Sequence, residues 1–331
     1  MTLSLDERRI AEIVEQVVQD LRPRAAELNG REPGQFQLAP ITQPAPGSGN
    51  HGVYLDIDDA IAAADAAQRS LSDLPLERRS TLIAAMRRAA TENAQVLARA
   101  ARQESAMGRY EDKIQKNLLV AERTPGTRSL QAQAWTGDRG LTLVERAPYG
   151  VIGAITPSTN PTSTIICNAI GMIAAGNSVV FNAHPGAKAC SVQTVQLLNQ
   201  AILSAGGPAD LITCPTEPTI ESAQYLMRHP SIRLLVVTGG PGVVREAMAS
   251  GKKAICAGPG NPPVVVDETA DLEQAARDIV KGASFDNNLV CILEKEIIAV
   301  ESISSRLKAI MLQRGAVELD QQQLTRLMKV I

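Results

Sequence analysis

Beyond residue 140 the chain alternates short β-rich runs with helical stretches, and this alternation restricts the fold more than any other feature of the sequence. The runs lie at 141–146, 151–156, 178–181, 211–213 and 234–238, while helical patterns fill 162–175, 188–205, 219–228 and 243–250. Strands separated by helices pair in parallel through right-handed crossovers, which lay the helices over the sheet faces. With one Trp, four Tyr and three Phe in 331 residues, the core must be built from Ala, Val, Ile and Leu, as in helix-covered parallel sheets. Upstream, residues 57–120 read as helical with a break at Pro75. A second unit starts near Ala257, with strand 264–266, helix 272–283, strand 297–300, helix 302–313 and about one helix more. So short a unit cannot bury both faces of a sheet, and it reads as a domain entered but not completed within these residues.

Open parallel sheets bind ligands outside the carboxyl ends of their strands. Gly/Pro/Ser/Thr clusters fall there, at 156–159, 182–186 and 238–242, and make Thr156 and Pro157 candidate contacts. VVTGGPG (236–242) runs a strand into a glycine turn and a helix. Thr238, Gly239 and Gly240 would let the backbone and the helix N-terminus approach a dinucleotide, although the same turn also serves as a tight connection. NAHPGAKA (182–189) offers His184 and Lys188 to ribose or phosphate; alternatively, Pro185 opens the helix while His184 caps or packs. FDNNLVCILEKE (285–296) puts Cys291 in a loop beside Asn287 and Asn288, and amides beside a thiol suit an oxyanion site. Cys167, Cys190, Cys214 and Cys256 read as packing residues.

The 33 basic and 35 acidic side chains leave a formal charge of −2, with no excess to neutralise a phosphate backbone, so no nucleic-acid partner is expected. No membrane is expected either: the most apolar stretch, 165–175, is short and is interrupted by Asn168 and Gly171. Five cysteines fit neither a disulfide framework nor paired metal-ligand spacing, and point to reduced thiols in the cytoplasm with no metal. At the N-terminus Ile10, Ile13, Val14, Val17, Val18 and Leu21 share one helical face. Pro23 stops that helix, and residues 29–50, with four prolines and four glycines including Pro33 and Gly47, read as a tether that leaves the helix outside the main fold; alternatively, it is a first helix that packs on its own domain.

VVTGGPG, then AGPGNPPVVVDETADLE (257–273), then FDNNLVC, in that order, resemble the CoA-acylating branch of the aldehyde dehydrogenase superfamily. MGRYEDKIQKN (107–117), RTPGT (123–127), ERAPYGVIGAITPSTNPTST (145–164) and NAHPGAKA extend the likeness over nearly all of 52–300. It is greatest to the propionaldehyde and acetaldehyde dehydrogenases of bacterial microcompartments. The resemblance implies an aldehyde dehydrogenase-like α/β fold with a parallel-sheet NAD-binding domain over 51–255, part of an oligomerisation hairpin near 138–150, and the N-terminal part of a second α/β, catalytic domain over 256–331. It also implies that Cys291 is the nucleophile and that an Asn in the turn before Pro161 supplies an oxyanion donor; an ungapped match puts Thr159 at that position with Asn160 beside it, and Asn160 is taken as the donor. Thr156, Pro157, His184, Lys188, Thr238, Gly239 and Gly240 would contact NAD. Residues 1–22, followed by a linker over 23–50, match the group's shell-targeting helix in position and pattern, so residues 1–21 would meet a microcompartment shell protein.

The reaction implied is NAD-dependent oxidation of propanal or acetaldehyde to its acyl-CoA, in 1,2-propanediol or ethanolamine breakdown, by a homo-oligomer (dimer or tetramer). Hydrolytic members carry a Glu before a Gly-Gly pair, which activates the water that cleaves the thioester. Here the matching stretch is ICAGPG (255–260), with Cys256 near the position of that Glu. A general base is worth about 10²–10⁴-fold, so without it CoA outcompetes water for the acyl group. A hydrolytic enzyme releasing free acid, or an inactive truncated nucleotide-binding fragment, are the alternatives. The family's catalytic domain continues past Ile331, and the chain is expected to be a partial one.

Overall fold

A computed structural model describes residues 51–329. The helix and tether expected over 1–50 lie outside them. The chain enters through β1 (Val53–Tyr54) and four helices: α1 (Ile57–Ser72), α2 (Leu76–Glu92), α3 (Ala94–Ser105) and α4 (Tyr110–Arg123). Local chemistry sets these boundaries. The Asp56 side chain accepts from Asp58 N at 2.7 Å and caps α1, and Pro75, with no amide hydrogen to offer, stands immediately before α2.

A hairpin follows, β2 (Gln133–Gly137) and β3 (Gly140–Val144). The run at 141–146 therefore does not join the main sheet, as the alternation suggests; it pairs antiparallel with β2 across the two-residue turn at Asp138 and Arg139. A two-residue turn permits only antiparallel pairing. The hairpin occupies 133–144 rather than 138–150, and all ten strand residues are exposed.

From there the alternation holds: β4 (Val151–Thr156), α5 (Pro161–Ala174), β5 (Ser178–Ala183), α6 (Lys188–Ser204), β6 (Ile212–Pro215), α7 (Ile220–Arg228), β7 (Ile232–Thr238), α8 (Pro241–Ala249) and β8 (Ala254–Ala257). Six of the described strands form one parallel sheet in the order β1-β6-β5-β4-β7-β8. The edge strands β1 and β8 escape sequence reading because two and four residues are too few to establish a period. β4 is buried along its whole length. Its alternate residues feed two cores. Ile152 and Ala154 join Leu82, Ile166, Phe181 and Leu198 on one face, and Val151 and Ile155 join Ile61, Leu226 and Leu235 on the other.

The remainder is β9 (Pro263–Val266), α9 (Leu272–Ser284), β10 (Glu296–Ala299), α10 (Glu301–Gln313) and α11 (Gln321–Leu327). β9 and β10 pair in parallel, and Val266, Ala276, Ile279, Leu307 and Ile310 form a third core. On the other face of this pair Val265 and Ile298 are exposed. No helix of the described residues is long and apolar enough to cross a membrane.

Candidate active site

The strand order makes a crevice. From β4 the chain winds through β5 to β6, then returns to the other side of β4 with β7, so the β4/β7 boundary is a topological switch point. Outside the carboxyl ends there lies a cavity of about 1030 Å³. Thr156, Pro157 and Asn160 line it from the β4–α5 turn, His184 from the end of β5, and Thr238, Gly239 and Gly240 from the β7–α8 turn; Asn288 and Cys291 line it from the loop after α9. Of the residues singled out in the sequence for the site, Asn287 and Lys188 are not among the lining residues. For Lys188 the reason is a surface ion pair. Its ammonium pairs with the Glu217 carboxylate, and neither side chain is buried.

Several features of the cavity wall fit a polar, anionic ligand such as a dinucleotide. The Thr156 hydroxyl is buried without a hydrogen-bond partner among the described residues, which leaves it free to pair with a ligand. Gly240 caps α8 without a side-chain bond, so the amides of that helix N-terminus are not closed off by a capping group. A Cβ at Gly240 would meet nothing within 4 Å. His184 has a structural task as well, since its Nδ1 accepts from Gly186 N at 3.0 Å.

The loop that carries Cys291 is unusual. Asp286, Asn287 and Asn288 all have positive φ, at 47°, 57° and 58°. Such left-handed conformations are costly for residues with a Cβ and persist only where the surroundings hold them. Here Asp286 is the anchor, completely buried. Its Oδ1 accepts from Arg109 N at 2.7 Å, its Oδ2 accepts from Lys113 Nζ at 3.4 Å and from Lys116 Nζ, and its own amide donates to Asp112 Oδ2 at 2.8 Å. The close approach requires Gly108 (φ +70°), where a Cβ would overlap the Asp286 carboxylate. Asn288 is fully engaged: Nδ2 donates to the carbonyls of Ala283 (2.7 Å) and Glu294 (3.1 Å), and Oδ1 accepts from Lys295. Its amide braces the loop and has no N–H left for a ligand.

These anchors were missed in the sequence. Lys113 and Lys116, three apart on α4, share one helical face, and both are buried. Burial pushes the Lys116 ammonium down to about 8, with Asp286 opposing the shift and Lys113 adding to it. The one available signal was the MGRYEDKIQKN motif itself, which lies some 170 residues before the loop it serves.

Among the lining residues Glu246 is the single carboxylate, and it accepts from Arg228 Nη2 at 3.1 Å and Gln224 Nε2 at 3.4 Å. Cys256 lies on β8 and packs against the second core rather than lining the cavity. Cys190 and Cys214 are buried; burial raises both thiols, Cys214 to about 12 and Cys190 further.

The model of the aldehyde dehydrogenase family matches residues 34–320. Over 284 residues the chain is 54% identical to an acetaldehyde dehydrogenase (acetylating) of Bilophila wadsworthia, a match covering 86% of this chain and 58% of that relative. Among solved structures, it is similar to a propionaldehyde dehydrogenase from the Clostridium phytofermentans fucose utilisation bacterial microcompartment, at 49% identity and TM-score 0.80, over 85% of this chain and 65% of that one. It is also similar to a Rhodopseudomonas palustris propionaldehyde dehydrogenase with bound CoA and an acylated cysteine, at 46% identity and TM-score 0.79, over 85% of this chain and 64% of that one. A switch-point cavity with a cysteine at its wall, and matches of this extent, make the chain a member of the aldehyde dehydrogenase family.

Proposed function

We propose that the protein oxidises a short aldehyde, propanal or acetaldehyde, to its acyl-CoA with NAD as hydride acceptor. The observation that carries this reading is a shared cavity: Cys291 lines it together with Thr156, Asn160 and the Gly239–Gly240 turn, and its one carboxylate, Glu246, is held by Arg228. Thr156, His184, Gly239 and Gly240 would hold NAD, which when bound supplies the hydride acceptor. The Cys291 thiolate adds to the aldehyde carbon, a C–S bond forms, and the carbonyl π pair moves onto oxygen. Asn160 donates to that oxyanion. After oxidation Cys291 carries an acyl thioester; the CoA thiolate attacks it, the Cys291 thiolate leaves, and acyl-CoA is released. Water competes poorly, because among the described residues no lining carboxylate is left unpaired to activate it.

The chain spans 58% of the Bilophila relative, and the reading applies to the protein as its gene encodes it. Within it, residues 51–255 serve as the NAD-binding domain and 256–331 begin the catalytic domain. The hairpin, with Trp135 (54% exposed) and Leu141 (67%), supplies an apolar contact for a homo-oligomer. Residues 1–21 dock on a shell protein, which would bring a cytoplasmic enzyme inside a microcompartment. The Clostridium neighbour is described as coming from such a compartment.

The test supplies the protein with propanal, NAD and CoA and identifies the product by mass. Propionyl-CoA is expected, with NADH formation stopping after about one turnover when CoA is withheld. Steady NADH production with free propionate in CoA-free buffer would overturn the reading in favour of hydrolysis.

A further inference from the structure

Lys116 bridges two parts of the site that lie far apart in sequence. Its Nζ binds the Asp286 carboxylate at the root of the Cys291 loop, and also donates to Asn160 Oδ1 at 2.6 Å. An ammonium is a donor only, so it can accept nothing from an amide. Asn160 must therefore turn its oxygen to Lys116 and its nitrogen away. That nitrogen has two hydrogens, and one goes to Thr159 Oγ1 at 3.0 Å. One N–H is left over, on a residue that lines the cavity. Lys113 does not duplicate the contact, because it reaches Asp286 and the Thr159 carbonyl (3.3 Å).

We propose that Lys116 is a positioning residue: held by Asp286, it fixes the orientation of the Asn160 amide so that one N–H faces the developing oxyanion, and it ties that donor to the loop carrying Cys291. The role rests on the reading of Asn160 as an oxyanion donor. Lys116 itself does not touch substrate. It selects one of two amide orientations, since without an ammonium at Oδ1 the amide can flip and present its oxygen to the oxyanion. Misplacing a catalytic group by about 1 Å can cost about 10²-fold.

The experiment compares the unsubstituted protein with Lys116→Met, Asn160→Ala and the double variant, reading the pre-steady-state NADH burst on propanal together with kcat and KM. Asn160→Ala is expected to slow the burst by about 10²–10³-fold. Lys116→Met should slow it by about 10- to 100-fold with the aldehyde KM little changed. The double variant should be no slower than Asn160→Ala alone, because with the amide gone there is nothing left to position. Lys116→Arg, which restores a cationic donor, should recover part of the rate. Losses that multiply in the double variant, or a Lys116→Met burst within twofold of the parent, overturn the proposal while leaving the oxyanion role of Asn160 intact. An unaffected Asn160→Ala overturns that role and the proposal with it. Absence of any burst in the parent overturns the functional reading itself. Circular dichroism on each variant separates these results from misfolding; if Lys116→Met does not fold, Lys116→Gln, which keeps a donor but can also accept, takes its place with a smaller expected loss.

Discussion

Gly260 lies so close to Cys291 that a Cβ on the glycine would overlap the cysteine's carbonyl oxygen. The turn after β8 and the thiol-bearing loop are thus packed backbone to backbone, and Gly260→Ala must push one of them aside. Overpacking of this kind costs about 1–3 kcal/mol. The substitution should lower the unfolding midpoint modestly and change the rate at which iodoacetamide alkylates Cys291 by more than twofold. An unchanged alkylation rate would show that the loop absorbs the methyl without moving the thiol.

Thiol selectivity follows from burial. Cys214, raised to about 12, and Cys190, raised further, are neutral at pH 8 and closed off from solvent, whereas Cys291 lines the cavity. Brief iodoacetamide treatment at pH 8 followed by peptide mass mapping should find Cys291 modified and those two intact. Cys291→Ser should abolish the NADH burst, and Cys256→Ala should leave it within a few-fold. A dead but folded Cys256→Ala would mean the wrong thiol has been assigned.

Asp286 pairs with two buried lysine side chains and holds three left-handed residues in place. Removing one partner of a buried pair costs about 3–5 kcal/mol, so Asp286→Ala should be among the most damaging single changes. Guanidinium unfolding would reveal it. A loss near 1 kcal/mol or below, the range of an exposed pair, would contradict the anchoring role.

The depressed Lys116 group gives a pH signature. Its folded pKa, about 8, lies below the 10.5 of an ordinary lysine, so between those values the unfolded chain holds more protons than the folded one. Stability contributed by this group therefore rises with pH from about 8 to 10.5 and is lost as pH falls through 8. Asp286 and Lys113 bind or face it directly, with Asp112 and Arg109 next in line, and all four are common to parent and variant. The melting temperature of the parent relative to Lys116→Met should climb across pH 8–10. A flat difference would place the Lys116 pKa near its ordinary value.

Residues 1–22 should be separable from catalysis. A fluorescent fusion of residues 1–50 is expected to form foci only in cells that also express shell proteins, since a six-residue apolar stripe can bind a groove at roughly 1.5–3 kcal/mol per buried side chain. Diffuse fluorescence in both cells would count against the targeting role.

Sequence alone determined the parallel α/β architecture, because apolar runs at strand length alternating with helical periods leave few other folds. It also marked the switch-point turns at Thr156, His184 and Gly240 and singled out Cys291, because turn glycines, prolines and an isolated loop thiol leave local traces. Tertiary structure decided what those traces could not. Leu141 and its neighbours have the composition of a sheet strand, yet form an exposed hairpin, because pairing partner and direction are non-local. Lys188 has the right spacing for a phosphate contact but is paired with Glu217, and Asn288 looks like an oxyanion donor but spends its amide on the loop. Lys113, Lys116 and Asp286 look like surface charge in any local window. Only folding, which brings α4 against a loop some 170 residues later, makes them the buried frame of the site. A charge becomes structural through what it meets in space, and that meeting has no local pattern to read.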